Sequence, residues 1–213
     1  QMALDALAGG EESAAVKLLR RVADAAPGFA PAVARLARLD LDGGHGGRAA
    51  SLIERGWAAA PHPDLALLYW RARGAEDALA RVKAAQRLAG QHPDHRESHI
   101  IIAEAALEAR LWGEARRHLG LAGGEEPPAR VCRLMAELEE AEHGDMAAAR
   151  AWLVRATLAD PDPAWVCGEC GHVVAEWRIR CDHCDAFAGF RWRTPPHVAK
   201  LADQAGLPQL ALT

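Results

Sequence analysis

The sequence predicts an all-α fold, a superhelix of stacked helix pairs with a small metal-binding module near its C-terminal end. Three observations predict it. Half of the 213 residues are hydrophobic, and Ala and Leu dominate while Val and Ile are few, which favours helix over strand. Prolines recur at 27, 61, 93, 127 and 161, at intervals of 34, 32, 34 and 34 residues. Four of the five cysteines fall in two C-x-x-C pairs, Cys167/Cys170 and Cys181/Cys184.

Each of these prolines closes a helical segment, because proline cannot continue a helix. The residues ahead of them keep register. Counting back the same distances gives Val22, Leu19, Ala15 and Gly10 before Pro27, and Gly56, Ile53, Ala49 and Gly44 before Pro61. Before Pro127 they are Ala122, Leu119, Ala115 and Arg110, and before Pro161 they are Ala156, Leu153, Ala149 and Gly144. A small residue, a large apolar one and another small one recur where paired helices approach closely, and glycine permits the reversal between them. Arg110 breaks that rule, and Gly113 is expected to supply the turn in its place. The interval ending at Pro93 also departs, with Ala78 and Ala85 displaced, so a modified helix pair is expected there. The predicted helices are 2–8, 12–26, 30–42, 47–59, 64–73, 76–90, 95–110, 113–121, 128–142 and 146–159, with Asp64 and Asp94 as cap candidates.

A 34-residue period of antiparallel helix pairs resembles the tetratricopeptide repeat. The alternative is a generic bundle with coincidental prolines. The resemblance implies a tetratricopeptide-repeat superhelix over 1–162 whose first helices line a concave, partner-binding groove. Groove positions implied are Ala34, Arg38, Ile100, Glu104, Leu134 and Leu138. The candidate partner contacts are Arg38, Glu97, Glu104 and Glu108, weighed against ordinary solvated charge. The Asn and Lys that many repeat proteins use to capture acidic chaperone tails are missing from these positions.

After Pro163 the texture changes, and 163–195 reads as a separate four-cysteine module. Cys167, Cys170, Cys181 and Cys184 have the pattern C-x2-C-x10-C-x2-C. Each C-x-x-C makes a knuckle that aims two sulfurs at one ion, and two knuckles complete a tetrahedron. Such a closed site is structural rather than catalytic. Zinc is favoured and iron is the alternative, since tetrahedral sulfur suits both. Disulfides or a thioredoxin-like redox pair are the competing readings, but the βαβ context of the redox pair is missing. Val173, Val174, Trp177 and Ile179 predict a short β-hairpin between the knuckles, with turns at Gly168 and Gly171. His172 and His183 are read as neighbours of the site, not ligands, and Cys132 as a buried helix residue. Trp165, Trp177, Phe187, Phe190 and Trp192 are expected to cover the metal and dock on the last helices of the array. His45, His92, His95, His99 and His118 are read as surface residues.

The formal net charge is -4, which disfavours an extended nucleic-acid footprint. Arg178, Arg180, Arg191 and Arg193 make the module locally basic, so a nucleic-acid-binding ribbon is kept as an alternative of another class, beside an iron redox or sensing module. No convergent acid, base and nucleophile set is visible, so no enzyme activity is expected. No apolar run approaches the roughly 20 residues that span a bilayer. The tail, 196–213, carries Val198, Leu201 and Ala202 at helical spacing and is expected to hold a short helix.

Repeats followed by Trp165-Val-Cys-x-x-Cys-Gly-His, Trp177, Cys-x-His-Cys and Phe190-Arg-Trp192-Arg-Thr-Pro-Pro resemble the C-terminal region of the HemY family, associated with heme biosynthesis in proteobacteria. The architecture is also similar to LapB, a lipopolysaccharide-assembly protein in which repeats precede a rubredoxin-like module of the same cysteine spacing. These resemblances imply a non-catalytic scaffold for heme-pathway or membrane proteins. They also imply a place on the cytoplasmic side of the bacterial inner membrane, held by an N-terminal anchor outside this chain.

Overall fold

The computed structural model describes residue 2 and residues 12–196. Among the described residues the helices are α1 (Glu12–Ala25), α2 (Ala30–Asp42), α3 (Gly46–Ala59), α4 (Pro63–Arg73), α5 (Ala78–Ala89), α6 (Arg96–Glu108), α7 (Trp112–Gly123), α8 (Ala129–His143) and α9 (Met146–Leu158). Three short strands follow: β1 (Ala164–Cys167), β2 (Val173–Val174) and β3 (Phe190–Arg193). The helix expected over 2–8, apart from Met2, and the tail helix through Val198, Leu201 and Ala202 lie outside the described residues.

Consecutive helices pack on one another, and α2, α4, α6 and α8 also contact each other in sequence, forming an inner row. Ala15, Ala49, Ala115 and Ala149 are all buried, as are Leu19, Ile53 and Leu119 one turn on. At Gly56 a Cβ would lie 3.0 Å from Val33 Cγ1 and 3.4 Å from Leu65 Cδ1, so α3 crosses α2 and α4 too closely for a side chain. In the pair α4/α5, which departs from the proline register, the two helices share less contact than in the other pairs.

Several local expectations are corrected. The turn after α6 is not made by Gly113, which lies in the first turn of the next helix. Arg110 itself takes the left-handed conformation at φ 57, beside φ 74 at Gly44 and φ 65 at Gly144. The reversals are closed by paired backbone bonds, as when Arg110 N–H donates to Leu107 O and Leu111 N–H donates to Ala106 O, the Schellman arrangement. Nor do Asp64 and Asp94 cap their helices. His62 Nδ1 accepts from Asp64 N–H at 3.2 Å, and His95 Nδ1 accepts from Glu97 N–H at 3.1 Å. Each imidazole thereby takes the place of the usual Ser or Asp oxygen.

Two apolar clusters run through the array, one from α1 to α6 and one from α6 to α8. The fully buried Trp57 donates its Nε1–H to Ser98 Oγ at 3.0 Å, and Ser98 Oγ donates to His92 O at 2.7 Å. This chain ties α3 to the start of α6. Ala34, Ile100 and Leu138 belong to the packed interior, not to a groove surface, because helix-helix contact covers them. His118 is likewise buried, with its Nδ1 3.1 Å from His99 Nδ1. Cys132 is buried, its Sγ donates to Pro127 O, and burial pushes its thiol pKa up. No helix among the described residues is long and apolar enough to cross a membrane.

Candidate metal centre and partner clefts

The module is a three-stranded sheet in the order β2-β1-β3, with both pairings antiparallel. The expected hairpin between the knuckles does not form. Val173 and Val174 pair back onto Trp165 and Val166 of β1, and Arg180 makes an isolated bridge to Phe187. The strand partner on the other side comes from beyond the second knuckle, with Trp192 opposite Trp165 and Phe190 opposite Cys167.

The two knuckles repeat one backbone design. Gly171 N–H donates to Cys167 O at 3.0 Å, and Asp185 N–H donates to Cys181 O at 2.8 Å. Gly171 has φ 76 and Asp185 has φ 59, so aspartate takes in the second knuckle the left-handed position that glycine takes in the first. Cys167 N–H and Cys181 N–H close each knuckle on His172 O and Ala186 O.

This folding brings Cys167, Cys170, Cys181 and Cys184 together, with all four sulfurs within 4.8 Å of one another. Cys167 Sγ lies 3.8 Å from Cys184 Sγ, and Cys170 Sγ lies 3.6 Å from Cys181 Sγ. A tetrahedral ion with metal-sulfur bonds of about 2.3 Å needs sulfurs about 3.8 Å apart, whereas a disulfide needs about 2.05 Å. The donor set and spacing therefore fit one thiophilic ion, zinc or iron.

The thiols of the site shift in opposite directions. Backbone N–H groups of Cys170 and Glu169 lower the Cys167 thiol to about 7. At Cys184 the Ala186 N–H favours the thiolate, but the crowding thiols of Cys170, Cys181 and Cys167 and desolvation push the pKa up to about 12. Four thiolates at this separation need a cation to neutralise them.

His172 and His183 stack on each other with ring centroids 5.8 Å apart, and His172 Nε2 faces Asp182 Oδ1 at 3.3 Å. Arg178 donates to Asp182 at 2.9 Å. Arg180 pairs with Asp185 at 3.2 Å and lies over the Phe187 ring. Arg191 donates to the carbonyls of Ala188 and Phe190. These three arginines are thus engaged within the module itself.

The module does not dock where the sequence suggested. Instead of lying on the last helices, its indoles reach the residues that begin α2 and α4. Trp177 meets Phe29 edge-on at 5.3 Å, and His62 lies 5.4 Å from Trp165 and 4.2 Å from Trp192. Hydrophobic packing with distant residues decides this, and no local pattern encodes it.

Two clefts result. The first, about 840 Å³, lies along the inner row and includes Leu67, Trp70, Arg81, Glu104, Glu108 and Arg130. Leu67 is 69% exposed. Arg81 pairs with Glu108, and Arg130 bridges Glu104 at 2.7 Å and Glu97 at 2.8 Å. The second cleft, about 1200 Å³, lies between the loops at Pro61, Pro127 and Pro161 and the module's Trp192, Arg193 and Thr194, and includes Glu97. Of the candidate partner contacts, Glu104 and Glu108 are therefore in the first cleft and Glu97 in the second. Arg38 is exposed on α2 and lines neither. Leu67 and Trp70 escaped sequence reasoning, although a Leu and a Trp at helical spacing on a first helix were the available signal.

Comparison with known proteins adds context. Residues 6–71 match the family model of the tetratricopeptide repeat. The "Probable magnetosome protein Mms48" of Magnetospirillum gryphiswaldense is 34% identical over 187 residues, which cover 86% of this chain and 41% of that protein. The chain thus spans less than half the length of that curated relative. Two solved structures of MamA align at 14% identity. One has a TM-score of 0.42 over 73% of this chain and 86% of the other, and the second has 0.43 over 74% and 94%.

Proposed function

We propose that this chain is a non-catalytic scaffold that holds protein partners in the cleft along its inner row of helices, with the four-cysteine module as a metal-stabilised part of the same body. One observation carries the reading: Leu67, 69% exposed, lines with Trp70 a cleft whose Arg81, Glu104, Glu108 and Arg130 are already tied into ion pairs. A pre-ordered charged rim around an open apolar anchor suits a peptide that inserts one apolar side chain. Full burial of a Leu side chain is worth about 1.5–3 kcal/mol, or roughly a tenfold to hundredfold change in affinity.

The test is a displayed random-peptide selection on the wild-type chain, followed by affinity measurement on Leu67→Asp and on Leu79→Asp, another exposed leucine that lines neither cleft. Binding lost in the first variant and kept in the second supports the scaffold reading. Selected peptides that ignore Leu67→Asp defeat it.

For the biological setting, the 34% identity to a probable magnetosome protein supports protein assembly on a magnetosome ahead of the heme-biosynthesis role of a HemY-like protein or the lipopolysaccharide role of a LapB-like one. The inner-membrane placement belongs to those resemblances and is part of the second reading. Exchanging the matching segment of the relative for this chain in its own host separates the two. Retained magnetosome formation favours the first, and a change confined to porphyrin pools favours the second.

A further inference from the structure

The module joins the chain just after α9, yet it rests on the beginning of α2 and of α4. Its side of the contact is three indoles, Trp165, Trp177 and Trp192. All three depend on the cysteine site for their placement. Trp165 and Cys167 share β1, Trp192 faces Trp165 across the sheet, and Trp177 lies between the knuckles. Among the described residues the module buries Trp165, Val166, Cys167, Cys181 and Phe190, and two of those five are thiol ligands. Such a cluster cannot order the segment without the ion, so metal binding and folding are one event there.

On the array side the contact is made by Phe29 and His62. His62 is buried, with its Nδ1 committed to the Asp64 N–H. Its Nε2 is buried with no hydrogen-bond partner among the described residues, and the rings of Trp165 and Trp192 pack against the imidazole. The contact is thus aromatic packing over an unsatisfied ring nitrogen, which gains a water partner when the module leaves. The module also supplies Trp192, Arg193 and Thr194 as one wall of the 1200 Å³ cleft, opposite the loops that join successive helix pairs.

We propose that the four-cysteine module is a metal-dependent latch: with the ion bound it clamps Phe29 and His62 and completes the second cleft, and with the ion removed it releases them and the cleft loses a wall. The inference rests on the metal reading of the cysteines. It goes further by giving the ion control over a surface of the repeat array that contains no ligand.

The test is hydrogen–deuterium exchange of the full reduced chain, with one equivalent of zinc and after chelation, together with metal analysis. Chelation is expected to remove protection from the module and also from 27–33 and 61–66, leaving α6 and α7 unchanged. The array-side double variant Phe29→Ala/His62→Asn, in which asparagine retains an acceptor for the Asp64 N–H, is expected to keep one zinc per chain. It should nevertheless lose protection at 61–66 and at the Trp192 face of the module. If chelation deprotects the module while 27–33 and 61–66 stay as they were, the latch is wrong and the metal site stands. If the reduced chain binds no metal, the metal reading fails and the latch falls with it, and metal content tells the two failures apart.

Discussion

Replacing Arg110 by glycine is expected to stabilise the repeat array. Arg110 ends the turn between α6 and α7 at φ 57, where an L side chain crowds its own backbone at a cost of about 1–2 kcal/mol. Its side chain is exposed, and no ion pair compensates it among the described residues. Glycine removes the crowding but gives the unfolded chain more freedom, which offsets about 0.4–1 kcal/mol. The net gain is about 0.5–1 kcal/mol, or roughly 1–4 °C in Tm for a chain of this size. Gly144 provides the reverse experiment. It has φ 65, and a Cβ there would meet nothing within 4 Å, so Gly144→Ala isolates the backbone term and should destabilise by a similar amount. Urea and thermal unfolding followed by far-UV circular dichroism read both variants. If Arg110→Gly lowers Tm while Gly144→Ala is neutral, the left-handed turns do not store strain and the reasoning is refuted.

Two further outcomes are expected. Cys184→Ser should weaken zinc binding beyond the roughly 10–100-fold that loss of an outer partner of a ligand costs, measured by competition with a chromophoric chelator, while Cys132→Ser leaves the stoichiometry unchanged. The pH dependence of stability should change in His62→Asn: burial, the larger effect, holds the folded His62 pKa below its usual value against the pull of Asp64. The unfolded chain therefore binds the extra proton first, and stability that is full above about pH 6.5 falls as pH drops below it. Thermal melts between pH 7.5 and 5 should show a shallower decline in the variant, and equal slopes would contradict this assignment.

The helices were legible because one signal was repeated. The proline spacing and the buried Ala15, Ala49, Ala115 and Ala149 placed helix ends within about two residues, the usual uncertainty of such boundaries. The four cysteines were legible for the same reason, since two identical knuckles need two identical spacings. What escaped was chemistry played by an unexpected residue type. Arg110 and Asp185 occupy left-handed positions that glycine usually fills, and His62 and His95 cap helices through ring nitrogens. The strand partners escaped because β1 runs into the first cysteine and β3 lies beyond the last, so that they pair across the whole pattern. The groove residues were only partly legible: a helical wheel cannot tell which apolar face meets the neighbouring helix, so Ile100 and Leu138 were placed on a surface that packing in fact covers.

Leu153 shows what the repeat pattern encodes. It holds the register of Ile53 and Leu119, which are buried, yet it is 48% exposed, while Ala149 one turn earlier is 3% exposed like its equivalents. The small residue therefore serves contact within a pair, which α8 and α9 complete. The large residue serves contact with the following pair, and among the described residues α9 has none. The four-cysteine module follows α9 directly in sequence, and a terminal cap would cover Leu153 there. It lies instead against Phe29 and His62, leaving Met146, Leu153, Val154 and Leu158 exposed. Its aromatic surface is thus matched to the start of the array in preference to the nearest apolar face. That choice makes the module a bridge between the end of α9 and the residues that begin α2 and α4.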